Sequence, residues 1–494
     1  MASLRRFLVA LGVLSLAGVA SAHDVTATRF EAPIPLPLLF GGAGATVALT
    51  ALFLARSESE GATDARSTGA DDTRRVSVPE SAATVGRTLL RVGFLAAFAG
   101  ALFVGLTGTR TYTENAAIVF VWALWLKGLA VLAVLVGDPW STLSPWRTLY
   151  DALARLEGEA IRLRAYPDWL GEWPALVGFL AVVGVLENLT WVPRSPRWTA
   201  ILLAGYAAAM VVGAVVFGRE WLRRADFFAV LYRLFGRVAP VTWERTAPAG
   251  PDREAAGSGT SIRLTVELRP PWRACRRPVS LPVAAFVVAA VYTVSFDGFA
   301  NTPEYQSLLF GVRDATGLGP AVSLALYLVG YVGFLAAFAG VAGVTARTAG
   351  GHVRFGDVDD PNVVERAADW RGAARNLAPT LLPIAVAYEL AHNAAFVLTR
   401  FGALVGLLGG PELAPLSWLS LPAFWATQVA LIVAGHVVAV VAAHGVVAGE
   451  PVETGRATLP AMEPGAGVRH APLTVLMVGY TVLSLWIISR PVVA

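Results

Sequence analysis

The sequence predicts an all-α fold: a polytopic transmembrane helical bundle of about ten spans behind a cleavable N-terminal signal peptide. Three observations carry this. Of 494 residues, 55% are hydrophobic and only 15% are charged, against about 25% charged in ordinary soluble domains. Mean hydropathy is +0.59. The apolar residues fall into runs long enough to cross about 30 Å of hydrocarbon. Together these exclude a disordered chain, a coiled coil and an ordinary cytosolic enzyme.

The N-terminus reads as a secretory signal over residues 1–22. Arg5 and Arg6 precede the apolar stretch Phe7 to Val19, and Ala20-Ser21-Ala22 offers a small-residue cleavage site. The mature chain, a single integral membrane domain over 23–494, then begins at His23. Ten spans follow, at 34–55, 88–108, 115–136, 174–192, 198–218, 280–297, 320–346, 377–399, 421–446 and 472–489.

Arginine sets the orientation. The chain holds 39 basic residues, and all but Lys127 are arginine. With the mature N-terminus outside, the cytoplasmic loops are 56–87, 137–173, 219–279, 347–376 and 447–471, and they carry 28 arginines. The opposite loops and the C-terminus carry six, or seven with Arg29. That is the positive-inside pattern, with both mature termini outside the cell membrane. It also accounts for a pI near 9.4 without a nucleic-acid partner.

The loops read mostly as polar connectors. Residues 219–241 look like an interfacial amphipathic helix, and Ser261 to Leu268 alternates like a short strand. Trp140, Trp146, Trp169, Trp173, Trp191, Trp198 and Trp221 gather near helix ends, as an interfacial aromatic belt does. Cys275 is the single cysteine, which excludes an intrachain disulfide framework.

Ionisable groups within spans are expensive and mark function by default. Lys127 stands mid-span, too deep to snorkel, and Glu187 or Glu389 is its partner by depth. Lys127, Glu187, Glu389, His392 and His436 all fall roughly 15–22 Å from the cytoplasmic end at about 1.5 Å per residue. Such a layer either fastens helices together or handles protons, ions or a substrate. Asp297 falls at the outer interface.

Glu389, His392 and Asn393 share one helix face at i, i+3 and i+4. Glu-x-x-His is the ligand spacing of di-iron bundles, but those need a second such pair, and the spans contain none. His436 is deep enough to join His392 as a metal ligand. His444 lies about 12 Å further along the same helix, near the cytoplasmic surface. Imidazoles on separate helices suit copper, zinc or, less well, haem. A mature N-terminal His23 offers an amine and an imidazole, which suits copper. Glu389 and Asp297 are the candidate catalytic carboxylates. No P-loop, dinucleotide fingerprint, GxSxG elbow or HExxH occurs.

The segments GDPWSTLSPWR, REWLRRADFF, FDGF, LLPIAVAYELAHN and AGHVVAVVAAH occur in that order. In this the chain resembles a family of polytopic membrane proteins from high-GC prokaryotes known as fenitrothion hydrolases, over roughly residues 20–490. The resemblance implies a many-helix bundle and hydrolysis of an organophosphate triester. The matching positions are His23, Asp138, Pro145, Trp146, Arg147, Asp297, Gly298, Phe299, His392, His436 and His444. Asn393 stands where the family has an aromatic.

Two functions are therefore expected in competition. One is an intramembrane hydrolase in which His392 and His436 hold a transition metal and Glu389 activates water for a small apolar substrate. The other is a permease that passes protons, metal ions or a small molecule through the Lys127, Glu187, Glu389 layer.

Overall fold

A computed structural model describes residues 36–57, 73–246, 261–349, 370–411, 413–447 and 471–490. Residues 1–22, read above as a signal segment, His23 and much of the 56–87, 347–376 and 447–471 connections lie outside the described residues.

Among the described residues ten helical segments are long and apolar enough to cross a membrane. They are Leu36–Leu54, Glu80–Thr107, Ala116–Val136, Asp168–Glu187, Pro196–Phe217, Leu281–Ala300, Ala321–Thr348, Trp370–Leu407, Leu421–Val447 and Ala471–Ile488. Each coincides with an apolar run of the sequence, so the chain is a multi-pass membrane protein. Below, spans are numbered in this order. One end of the bundle carries the Arg-rich connections and the other is Arg-poor.

Local signals start the helices. Ser144, Ser195, Ser280 and Thr302 each accept a backbone N–H from the first turn of the helix they precede, and proline follows within two residues. A side-chain oxygen satisfies an orphan donor there, and proline needs no donor at that position. Gly137 ends the third span with φ +90° and Gly218 ends the fifth with φ +72°. Those left-handed turns suit glycine.

Burial sorts the spans. In the sixth, 72% of the apolar window is buried, against 17% in the second and the seventh. The sixth, eighth, third and ninth spans form the middle of the bundle, and the rest surround them.

Two expectations for the 219–279 insert fare differently. Ser261–Leu268 is a strand. It pairs antiparallel with Thr73–Pro79 on one side and Val241–Thr246 on the other, with Val76 opposite Leu264 and Glu244 opposite Thr265. The small sheet joins the segment before the second span to the insert after the fifth. The interfacial helix is not there. Its residues form two helices, Arg219–Arg224 and Phe227–Phe235, broken at Asp226. Phe227, Phe228, Val230, Leu231, Tyr232, Leu234 and Phe235 are all buried, so the second helix packs into the bundle instead of lying on a surface.

Asp226 explains the break. It caps the second helix by accepting the Phe228 N–H at 3.1 Å. It also accepts the indole N–H groups of Trp140 at 2.8 Å and Trp146 at 2.7 Å, and the Tyr206 hydroxyl at 2.9 Å. Trp140 and Trp146 are thus buried donors to a carboxylate and not interfacial anchors. Trp169, by contrast, is 79% exposed.

Candidate functional site

The third and fourth spans are irregular at matching places. Val119–Gly128 and Leu180–Glu187 are π-helical. Widening the turn from i−4 to i−5 hydrogen bonding displaces carbonyls from the regular ladder, and in an apolar setting each needs a new donor. Leu129 N–H accordingly donates to both Leu124 and Trp125 carbonyls. The Tyr232 hydroxyl reaches in from the Phe227–Phe235 helix to the carbonyls of Trp125 at 2.8 Å and Leu126 at 3.1 Å. On the fourth span Asn188 Nδ2 donates to the Val183 carbonyl at 2.7 Å.

The two π-helical segments carry Lys127 and Glu187. Lys127 Nζ meets Glu187 Oε1 at 3.0 Å and lies 3.8 Å from Asp297 Oδ2 on the sixth span. His392 Nε2, on the eighth span, is 3.6 Å from the same Asp297 oxygen. Glu389, one turn before His392, is 9% exposed and lies in the field of both Lys127 and His392. Four spans therefore converge on one cluster of a lysine, three carboxylates and a histidine. Charges of this kind are tolerated in an apolar interior only when paired.

The expected Lys127–Glu187 pairing is present. Asp297 needs correction: it is not at an outer interface but within the cluster. The sixth span runs on to Ala300, so Asp297 is still one turn inside the helix. Asn301 secures that turn by donating Nδ2 to the Asp297 carbonyl at 2.8 Å.

A cavity of about 40 Å³ opens beside the cluster. Lys127, Glu187, Asn188, Thr293, Asp297 and Glu389 are its polar lining, and Phe179, Leu231 and Phe235 are among its apolar walls. On the same measure one water needs about 10–15 Å³, so there is room for a few. Thr293 is fixed by a 2.7 Å hydrogen bond with the Tyr327 hydroxyl. The Tyr327 ring lies where a side chain on Gly184 would project, which is why the π-helical turn of the fourth span needs glycine there.

Among the described residues the two remaining histidines, His436 and His444, both lie on the ninth span. His436 is 1% exposed. Its Nδ1 lies 2.8 Å from the Ile432 carbonyl and its ring packs against Tyr480 at 5.7 Å. His444 is buried near the Arg-rich end of the ninth span, where Arg276 packs against neighbouring Gly445. Among the described residues no three His, Cys, Asp or Glu side chains gather in a way that could hold a metal ion.

Several positions matched through the family resemblance have structural partners. Asp138 Oδ1 accepts the Trp140 N–H at 3.0 Å and so starts the short turn after the third span. Its carboxyl is pushed up by burial, which outweighs those backbone hydrogen bonds and the nearby Arg233 and Arg147. Trp146 serves Asp226. Gly298 lies against the Tyr388 hydroxyl.

Tyr232, Asn188 and Thr293 are the site residues that sequence reading missed. The available signal was a tyrosine inside the buried FFAVLYRLF run, where a hydroxyl requires an acceptor.

No family model, curated protein or solved structure matches the chain.

Proposed function

We propose that this protein is a permease that moves protons through the bundle by way of Lys127, Glu187, Asp297, Glu389 and His392. One observation carries the reading: Lys127 is a single positive charge shared by three carboxylates around a water-sized cavity. His392 can add a second charge, yet acids still outnumber bases. Such a cluster stays neutral only by taking up protons, and the cavity has room for the waters that would give them a path. The Arg-rich connections support an orientation with that end of the bundle at the cytoplasmic face of the cell membrane and both mature termini outside.

Hydrolysis of an organophosphate, the activity implied by the resemblance, has less support. Sites for drug-sized ligands run to about 300 Å³ or more, and the cavity at Lys127 is about 40 Å³.

The test is reconstitution of the full chain in liposomes with a trapped pH-sensitive dye and an imposed pH gradient. Wild-type protein should dissipate the gradient, and Glu187→Gln should return the rate to that of empty liposomes. Equal rates for the two proteins would overturn the reading. Turnover of a chromogenic phosphotriester without proton flux would favour the hydrolase.

A further inference from the structure

A second group of charges lies away from the Lys127 cavity, at the Arg-rich end. Asp151, on the Pro145–Glu157 helix, accepts Arg91 Nη1 at 3.3 Å, Arg219 Nε at 3.2 Å and Arg219 Nη2 at 2.9 Å. Arg147, one turn earlier on the same helix, stands in the field of Arg91, Arg219 and Asp151. Asp138 stands in the field of both Arg147 and Arg233. Three guanidiniums, those of Arg91, Arg147 and Arg219, thus share Asp151, and Asp138 is divided between Arg147 and Arg233, so positive charge is in excess around Asp151. Burial holds the Arg147 pKa below its ordinary value; Asp151 opposes that and the two neighbouring arginines add to it.

The surroundings suggest what balances the excess. Leu89, Leu90 and Val92 flank Arg91 and are 67%, 57% and 56% exposed. Among the described residues nothing buries them, and an exposed apolar wall on a membrane-spanning helix suits lipid. The arginines therefore stand at the margin of a lipid-facing surface, at the depth of headgroup phosphates. A guanidinium presents paired donors that fit two phosphate oxygens. Arg91 Nε is a buried donor without a partner among the described residues.

We propose that Arg91, Arg147 and Arg219 bind the phosphodiester of an anionic phospholipid, whose acyl chains lie along the second span at Leu89, Leu90 and Val92. The site is separate from the Lys127 cluster and does not depend on the proton reading.

Native mass spectrometry of the detergent-purified full chain tests this. The protein is titrated with phosphatidylglycerol, with phosphatidylcholine of the same chains, and with inorganic phosphate. One phosphatidylglycerol should be retained over phosphatidylcholine by more than about tenfold. Arg147→Gln and Arg219→Gln should each weaken that retention about fivefold. Arg400→Gln, at the Arg-poor end, should leave it unchanged. The Arg219 side chain is 65% exposed, so its replacement does not threaten the fold, and an unchanged unfolding temperature would confirm that. Equal retention of the two lipids would overturn the proposal. So would an Arg219→Gln protein with full preference, or displacement of the lipid by equimolar inorganic phosphate, which would make this a site for the free ion.

Discussion

The hydroxyl of Tyr232 donates to the carbonyl of Trp125 at 2.8 Å, two residues before the only lysine in the chain. The bond links a short helix at the Arg-rich end to the irregular turn that presents Lys127. Tyr232→Phe keeps the ring and removes the donor, leaving the Trp125 and Leu126 carbonyls without it. The cost should be about 1–3 kcal/mol, seen as a lower unfolding temperature. Proton flux should fall as well, because the π-helical turn can relax toward regular helix and swing Lys127 away. A variant with reduced stability but wild-type flux would separate the tyrosine from the site.

Removing one partner of a buried ion pair is worse than removing both. Lys127→Met leaves Glu187, Asp297 and Glu389 without their shared counter-charge and should destabilise by about 3–5 kcal/mol. Adding Glu187→Gln to that variant should restore part of the loss. A double-mutant cycle on unfolding free energies measures the recovery, and strictly additive losses would show that the two residues do not interact.

Asp226 makes stability depend on pH. Burial raises its carboxyl from 3.8 to about 6, ahead of the hydrogen bonds from Trp140, Trp146, Tyr206 and Phe228 that pull it down. Between those two values the folded protein holds a proton that the unfolded chain has released. Stability from this group is therefore full below about pH 4 and declines as pH rises to about 6. Asp226→Asn should be less stable at every pH, since its amide nitrogen cannot accept from the indoles. It should also lack that decline, and unfolding temperatures of both proteins across the window provide the comparison.

Gly298 has no room for a methyl group. A Cβ there would lie 2.6 Å from the Tyr388 hydroxyl and 2.7 Å from Ile487 Cγ2. Gly298→Ala should cost about 1–3 kcal/mol by overpacking. Because Asp297 is its neighbour, the shift should also lower proton flux, whereas Gly311→Ala, with open space around it, should change neither.

How much of this was legible in the sequence follows from what each signal encodes. Bilayer thickness fixes the length of an apolar run, so all ten spans could be read. Lys127 and Glu187 could be matched because both stand alone in apolar runs at similar depth. Asp297 was misplaced because depth was counted from an assumed span end at 297, and the helix continues to Ala300. The π-helical turns leave no mark in composition: VFVWALWLKG reads like any apolar helix, and its widened hydrogen bonding depends on Tyr232, over a hundred residues away. Trp140 and Trp146 misled for a related reason. An indole near a span end looks the same whether its N–H meets water or a buried carboxylate, and only the fold brings Asp226 to it.

The solitary lysine gives the protein a built-in chemical address. Arginine does not react with amine-directed acylating reagents at neutral pH, so such a reagent finds only Lys127 and the chain's amino terminus. Each bound label adds a fixed mass to one peptide. Only the neutral amine is acylated, and Glu187 and Asp297 hold Lys127 as an ammonium. The rate of labelling, followed as ligands or lipid are changed at fixed pH, therefore reports on when the ion pair opens to an outside molecule.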